Sequence, residues 1–164
     1  MQNPTTRETT RPWRNGSSEF ASQTYMKTIL YLEDDEHDIF FLERALANQG
    51  TDLSIRNVHS LSEATAYLEG DGQYADRKRF PLPCLILSDL SIPGGSGFQL
   101  ARWLREDPRF RELPIILLSG SAREQQLEKA EISGANCCLE KSSDFSELLA
   151  RINDLLHAHK EMDH

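Results

Sequence analysis

The sequence predicts an α/β fold in which one parallel five-stranded sheet is covered by helices on both faces. Short apolar runs alternate five times along the chain with segments whose apolar residues recur at helical spacing. The clearest run, Cys84 to Leu87, has no polar alternation, which is typical of a strand buried on both faces. At 164 residues the chain is long enough for one domain with a single core.

Composition marks the limits of this domain within the chain. Residues 1–25 are polar and lack both an apolar period and a helix cap, so we expect a disordered leader or extension there. The domain itself is predicted over residues 26–159, and residues 160–164 are predicted to form a short tail. The pattern contains no internal repeat and no sign of a second domain.

Charge and hydropathy limit which binding partners and which cellular compartment we expect. The formal net charge of -8 disfavours nucleic acid and anionic membranes, since both would be repelled at long range. No apolar run approaches the length of about 18 to 20 residues that a membrane span needs, and the N-terminus lacks the apolar centre of a signal peptide. The sequence therefore predicts a cytoplasmic protein with neither nucleic acid nor membrane as a partner.

The cysteines do not form a disulfide framework. Cys84, Cys137 and Cys138 lie in or beside apolar runs, and we expect them to be buried free thiols. Adjacent residues on a strand point to opposite faces of a sheet, which disfavours a bridge between Cys137 and Cys138.

The predicted elements alternate regularly. Five apolar runs predict the strands, in the order 28–32, 53–58, 84–87, 113–118 and 137–139. Apolar residues at helical spacing predict the helices, in the order 39–48, 61–69, 98–104, 123–132 and 145–156. This alternation implies right-handed crossover connections between parallel strands.

The first two helices have clear limits in the sequence. The acidic stretch 33–36 precedes the first helix, which ends at Gly50. Ser60, with Glu63 three residues later, marks the start of the second helix, and Gly70 marks its end.

The loops and helix ends after residue 70 are also marked by short sequence signals. The loop before the third strand contains the basic segment Arg77 to Phe80, which is either a solvated tip or an element that docks a partner. A turn of proline and glycines follows Asp89. Asp107, which precedes a proline, closes the third helix, and Gly134 closes the fourth, whose apolar stripe is weak. The fifth helix is strongly amphipathic.

Reactive side chains follow four of the five predicted strands. Glu33 and Asp34 come after the first strand and Asp89 after the third, while Ser119 ends the fourth and Lys141 follows the fifth. The crevice beyond the carboxyl ends of parallel strands is where ligands bind in such sheets. In the flavodoxin-like strand order 2-1-3-4-5, the first and third strands are neighbours, so the acids would face each other. By itself, Asp89 could equally be the first residue of its turn.

Carboxylates this close to one another favour a hard divalent cation. Mg²⁺ takes oxygen ligands from one or two carboxylates, keeps several waters and commonly shares a phosphoryl oxygen. A lysine and a hydroxyl beside it, Lys141 and Ser119, would form an electropositive, hydrogen-bonding cradle for an anion bound on Asp89. The sequence thus predicts a magnesium-assisted anion site.

Four segments carry a family resemblance in combination: LEDDE, SDLSIPGGSG, LLSGS and LEK. They resemble the receiver domain of two-component response regulators, over about residues 26–159. The resemblance implies a flavodoxin-like, doubly wound sheet and a phosphoryl group accepted on Asp89 from a histidine kinase. It is closest in kind to single-domain regulators of phytochrome-type or hybrid histidine kinases, which have no DNA-binding output domain.

The resemblance also implies a role for each site residue. Asp34 and Asp89 would bind Mg²⁺ directly and Glu33 through water, with the backbone carbonyl of Ser91 as a further ligand. Ser119 would be the switch hydroxyl and Lys141 the phosphate-binding lysine. Asp35 lies one place beyond the acid pair and is not expected to be a ligand. Such a protein signals through its binding surface and catalyses only its own phosphorylation and dephosphorylation.

Two positions depart from the family pattern. Ser142 follows Lys141, where the family usually has a proline in a cis bond, so the conformation of this bond stays open. Cys138 stands where the family has its switch aromatic on the fifth strand. These departures give some support to an alternative, a pseudo-receiver that binds partners without being phosphorylated, whereas the intact set of Asp34, Asp89, Ser119 and Lys141 argues against it.

Other function classes fit less well. A phosphatase with an aspartyl-phosphate intermediate would carry a second acid at position 91, where Ser91 stands. A flavodoxin would have a phosphate-binding loop of Ser, Thr and Gly after the first strand, where this chain has acids.

The expected partners are proteins. A sensor histidine kinase or a phosphotransfer protein would supply the phosphoryl group. A homodimer through the last two helices and the fifth strand is a further expectation, because residues 145–156 offer more apolar positions than one covered face requires.

Overall fold

The computed structural model describes residues 27–121 and 123–162, and this part of the chain contains seven strands. In chain order they are β1 (Lys27–Leu32), β2 (Leu53–Val58), β3 (Leu85–Asp89), β4 (Ser91–Ile92), β5 (Gly95–Ser96), β6 (Ile115–Ser119) and β7 (Cys137–Glu140). Five of them form a parallel sheet in the order β2-β1-β3-β6-β7. Counted among themselves, these strands have the order 2-1-3-4-5, which confirms the predicted fold.

Five α-helices connect the strands. They are α1 (Glu36–Asn48), α2 (Leu61–Glu69), α3 (Gly97–Glu106), α4 (Glu124–Ser133) and α5 (Ser146–Met162). The helix α5 continues beyond the predicted end of its apolar stripe, into the segment 160–164 that we predicted to be a tail. The predicted leader, residues 1–25, and the last two residues of that tail lie outside the described residues.

Two small elements were not predicted. The strands β4 and β5 form an antiparallel hairpin in which Ser91 pairs with Ser96 and Ile92 pairs with Gly95. A short 3-10 helix covers Gly72–Ala75. Two-residue strands and a single 3-10 turn are too short to show a period in the sequence.

The sheet separates two apolar layers. Leu85 and Leu87 of β3 face a layer that contains residues of α1 and α5, whereas Ile86 faces a layer that contains residues of α2, α3 and α4. All three side chains are fully buried. The absence of polar alternation in this strand therefore reflects helices on both of its faces.

The three cysteines are free, as predicted, but only Cys138 is buried, and Cys84 and Cys137 are half-buried. Cys137 packs with the layer of α1 and α5, while Cys138 belongs to the opposite layer, so the two thiols point to different sides of the sheet. Burial raises the pKa of each of these thiols and of Cys84, so the uncharged form prevails at neutral pH.

The loop before β3 is anchored by its basic segment. Arg77 donates hydrogen bonds to the carbonyl oxygens of Tyr67 and Leu68, both at 2.8 Å, and so caps the C-terminal end of α2. Phe80 packs edge-on against Tyr67 and Tyr74. Arg77 and Phe80, the two ends of the basic segment, are therefore structural, and its two middle residues, Lys78 and Arg79, are exposed.

Within the described residues, none of the helices has the length and apolar character that crossing a membrane requires.

Candidate functional site

Three acids meet at the carboxyl ends of β1 and β3. These strands are hydrogen-bonded neighbours, with Leu32 opposite Ser88, so the residues that follow them face one crevice. Glu33 is almost fully buried, Asp89 is half-buried and Asp34 is exposed. One carboxylate oxygen from each lies within 4.8 Å of the others. The structure thus brings together the three acids that the sequence analysis selected.

Backbone contacts fix the position of Asp89. The hydroxyl of Ser88 donates to the Asp89 carbonyl oxygen at 2.9 Å. The β4-β5 turn contains Gly94 at a φ of 84°, in the left-handed region that a glycine enters without strain. At Gly97, a Cβ atom would lie 2.8 Å from the Asp89 carbonyl oxygen and 2.9 Å from Leu117, so only glycine fits beneath the site.

Lys141 is bound by three carboxylates. Its Nζ lies 2.7 Å from Glu33 Oε2, 3.0 Å from Asp38 Oδ2 and 3.2 Å from Asp89 Oδ2. Its backbone N–H donates to the carbonyl oxygen of Ser119, which ties the ends of β6 and β7 together. Every peptide bond of the described residues is trans, including the one between Lys141 and Ser142.

Burial and charge change the pKa values in this cluster. Burial raises the pKa of Glu33 above its ordinary value, although its bonds from Lys141 and from the backbone N–H of Asp35 oppose the rise. Burial alone would lower the pKa of Lys141, but hydrogen bonds to Glu33 and Asp38 and the charge of Asp89 outweigh it and raise that pKa. Lys141 is therefore charged at neutral pH and acts as a counter-ion inside the crevice.

Asp38 is a site residue that the sequence analysis missed. It lies in the first turn of α1, and its carboxylate joins Glu33 and Asp89 around the Lys141 ammonium. The available signal was proximity in the sequence, because Asp38 stands in the first turn of the helix that directly follows the acidic stretch. Asp35 has a different task, since its side chain accepts a bond from the His37 N–H at 2.8 Å and caps α1.

The other predicted residues take the following places. Ser119 ends β6 and is 3% exposed; its hydroxyl oxygen contacts Ser121 and Gln126 rather than an acid. Ser91 is exposed at the start of β4, two residues after Asp89. Cys138 is buried on β7 beside Leu117, at the position where the resemblance placed a switch aromatic.

A cleft of about 710 Å³ opens beside Lys141. It lies between α1 and the loop that joins β7 to α5, and Tyr31, Leu118 and Phe145 are among its apolar walls. Four acids surround it: Asp38, Glu140, Asp144 and Glu147. Among the described residues that line the cleft, Lys141 is the only basic one and is already paired with carboxylates, so this part of the rim is negatively charged.

The donor set suits a hard divalent cation. All three acids offer carboxylate oxygens, which Mg²⁺ and Mn²⁺ prefer, and these oxygens lie close enough together to surround one partly hydrated ion. Asp34 is exposed and can meet a hydrated ion, whereas Glu33 is held inside by Lys141 and Asp35. The residues therefore fit a magnesium ion at the mouth of the crevice.

Comparisons with known proteins find similar sequences and similar folds. The family model described as response regulator receiver domain matches residues 29–153. The response regulator Rcp1 of Synechocystis is 26% identical over 129 residues, which is 79% of this chain and 86% of Rcp1. The solved structure of its Mn²⁺-bound form has a TM-score of 0.66 at 26% identity and covers 79% of this chain and 91% of that one.

Two other solved structures are similar over most of the chain. The response regulator RPA3017, described in red light signaling of R. palustris, has a TM-score of 0.71 at 30% identity, with 80% of this chain and 92% of that chain covered. The phosphorylated cyanobacterial phytochrome response regulator RcpA has a TM-score of 0.67 at 31% identity, with 79% and 90% covered.

Proposed function

The chain belongs to the response regulator receiver domain family, and from this membership we propose that it accepts a phosphoryl group on Asp89 in a Mg²⁺-dependent reaction. The observation that carries the proposal is the meeting of three carboxylates and one ammonium group in a single crevice. Such a crevice can bind a divalent cation and a phosphoryl group side by side.

The metal would be held by four groups of this chain. Asp34 and Asp89 would contact it directly, Glu33 would contact it through water, and the backbone carbonyl of Ser91 would complete the protein ligands. When bound, Mg²⁺ neutralises charge on the phosphoryl oxygens. The relative Rcp1 has been solved in a Mn²⁺-bound form, which supports a divalent-cation site in this chain as well.

The chain's own side chains perform the transfer. A carboxylate oxygen of Asp89 bonds to the phosphorus of a phosphohistidine, the P–N bond breaks, and the imidazole leaves with the electron pair of that bond. Lys141, already 3.2 Å from Asp89, stabilises the added negative charge. The hydroxyl of Ser119 donates to a phosphoryl oxygen once it turns toward Asp89.

The donor would be a sensor histidine kinase or a phosphotransfer protein, whose phosphohistidine must reach Asp89 in the cytoplasm. The relative RcpA has been solved in its phosphorylated form, which supports this type of chemistry. The proposed output is a change of the protein-binding surface, with neither nucleic acid nor membrane as partner, in keeping with the formal net charge of -8.

The experiment is phosphorylation by acetyl phosphate, followed by intact mass. Wild-type protein should gain the mass of one phosphoryl group in Mg²⁺ and should gain nothing in EDTA. A protein that binds Mg²⁺ yet never gains this mass would instead be a pseudo-receiver, the alternative that Ser142 and Cys138 suggest. The intact set of Asp34, Asp89, Ser119 and Lys141 favours phosphorylation.

A further inference from the structure

The hydroxyl group of Ser119 is already hydrogen-bonded to neighbouring residues in this structure. Its Oγ donates to the carbonyl oxygen of Ser121 at 2.7 Å and accepts from the Ser121 N–H at 3.2 Å. Oε1 of Gln126, in the first turn of α4, is a second oxygen to which this hydroxyl can donate, at 2.8 Å. A serine hydroxyl has one hydrogen, so it bonds to only one of these two oxygens at a time while it accepts from the Ser121 N–H.

The contact with Gln126 is polar in either orientation of the amide. One hydroxyl hydrogen serves either the Ser121 carbonyl or Gln126 Oε1 at a given moment. When this hydrogen bonds to the Ser121 carbonyl, the Gln126 carboxamide can rotate so that its NH₂ group donates to Oγ, since rotation exchanges the oxygen and nitrogen of a carboxamide. Ser119 is 3% exposed, so water does not offer an easy replacement for this bond.

From these contacts we propose that Gln126 is a positioning residue, which holds the Ser119 hydroxyl away from Asp89 until Asp89 is phosphorylated. This inference rests on the proposed function. Phosphoryl oxygens only accept hydrogen bonds, so Ser119 must turn its single hydrogen toward Asp89 to bind them. That rotation moves Oγ off Gln126, and the bond to Gln126 exists only in the unphosphorylated state.

The position of Gln126 makes the same bond a link between the site and α4. The helices α1, α2 and α3 each begin at an N-cap residue whose side chain accepts a backbone bond, whereas Arg123, the N-cap of α4, makes no such side-chain bond. The Gln126 contact therefore anchors a helix start that has no cap of its own. Its release loosens the first turn of α4 beside Leu127, an exposed apolar residue.

The test compares two neighbouring glutamines. Gln126→Met removes the polar contact at similar volume, and Gln125→Met changes an exposed residue of the same turn. Calorimetric titration with beryllofluoride, a phosphoryl mimic, in saturating Mg²⁺ measures the affinity of each protein. Gln126→Met should bind beryllofluoride about fivefold more tightly than wild type, because the unbound state loses one neutral hydrogen bond. Gln125→Met should bind it with the same affinity as wild type. Gln126→Ala should shift the affinity in the same direction and serves if the methionine variant fails to fold.

Measurements in a Ser119→Ala variant show whether Gln126 acts through Ser119. In Ser119→Ala protein there is no hydroxyl to hold, so adding Gln126→Met should leave the affinity unchanged, as a double-mutant cycle requires for coupled residues. Equal affinity of wild type and both Gln126 variants overturns the inference, and so does a gain that persists in the Ser119→Ala background. If wild type binds no beryllofluoride in Mg²⁺, the proposed function itself fails, and the positioning role of Gln126 fails with it.

Discussion

The ammonium group of Lys141 lies 3.2 Å from Oδ2 of Asp89, although 52 positions separate the two residues in the chain. The pairing of β3 with β6 and of β6 with β7 brings the ends of these strands together. The same ammonium is still closer to Glu33, at 2.7 Å. Lys141 thus balances the charge of the acids where we propose that the metal and the phosphoryl group bind.

Replacing Lys141 should destabilise the protein in the absence of metal. Lys141→Met leaves Glu33 charged and buried without its cation. We therefore expect the free energy of unfolding to fall by about 1 to 3 kcal/mol at pH 7.5. This loss is smaller than for a fully buried pair because the lysine side chain is 26% exposed. Chemical denaturation in EDTA measures this change. Lys129→Met, on the exposed side of α4, is the matched control and should leave stability unchanged.

The loss should also depend on pH. The pKa of Glu33 is raised in the folded protein, so its ionised form destabilises the fold at neutral pH, and the penalty fades as pH falls through that raised pKa. Removal of Lys141 raises the pKa of Glu33 further, so the deficit of Lys141→Met should shrink as the pH approaches 4.5, the ordinary glutamate value. A deficit that is constant from pH 8 to about pH 5 would mean that Lys141 stabilises by packing alone.

Magnesium should stabilise the protein through Asp34. A ligand bound only by the folded state adds about 2.7 kcal/mol at a concentration one hundred times its Kd. Wild type should therefore melt at a higher temperature in Mg²⁺ than in EDTA, and Asp34→Asn should lose most of this shift. Asp35→Asn is a close control, because asparagine caps a helix as well as aspartate does. A full shift in Asp34→Asn, or its loss in Asp35→Asn, would place the ion elsewhere.

A dimer through α4, β7 and α5 should depend on Ile132. This side chain is 79% exposed on α4, and half-buried Leu139 and Leu155 lie on β7 and α5. Sedimentation velocity should show beryllofluoride-dependent association of wild type that Ile132→Asp abolishes. Phe40→Asp, at another exposed apolar position, on α1, should still associate. Monomers in both states at high concentration would leave only a different protein as the partner.

The sequence predicted the fold well because its strongest signals are determined by burial. The apolar runs became the strands of the sheet, and the family membership that LEDDE and SDLSIPGGSG suggested is confirmed. The Ser60 cap and the glycines that end α2 and α4 lie where their chemistry predicted. The hairpin of β4 and β5 was missed because two-residue strands have no detectable alternation.

The site was only partly predictable from the sequence. Reactive residues at the ends of predicted strands were identified, but site residues that lie on helices were missed. Asp38 reaches Lys141 from the first turn of α1, and Gln126 reaches Ser119 from the first turn of α4. The first contact was accessible from the sequence because Asp38 follows the acidic stretch within one helical turn of the helix start. The second depends on the path of the loop between β6 and α4, which no local pattern in the sequence determines.

The central claim is that Asp89 is the phosphorylated residue, and the most direct measurement locates the phosphoryl group. After reaction with acetyl phosphate in Mg²⁺, borohydride reduction converts an aspartyl phosphate to homoserine, which peptide mass spectrometry identifies. The account predicts homoserine at position 89 alone, in wild type and in Asp38→Asn, and an unlabelled protein in Asp89→Asn. Homoserine at position 34 or 38, a reduced side chain at Glu33, or phosphorylation that survives Asp89→Asn would contradict it.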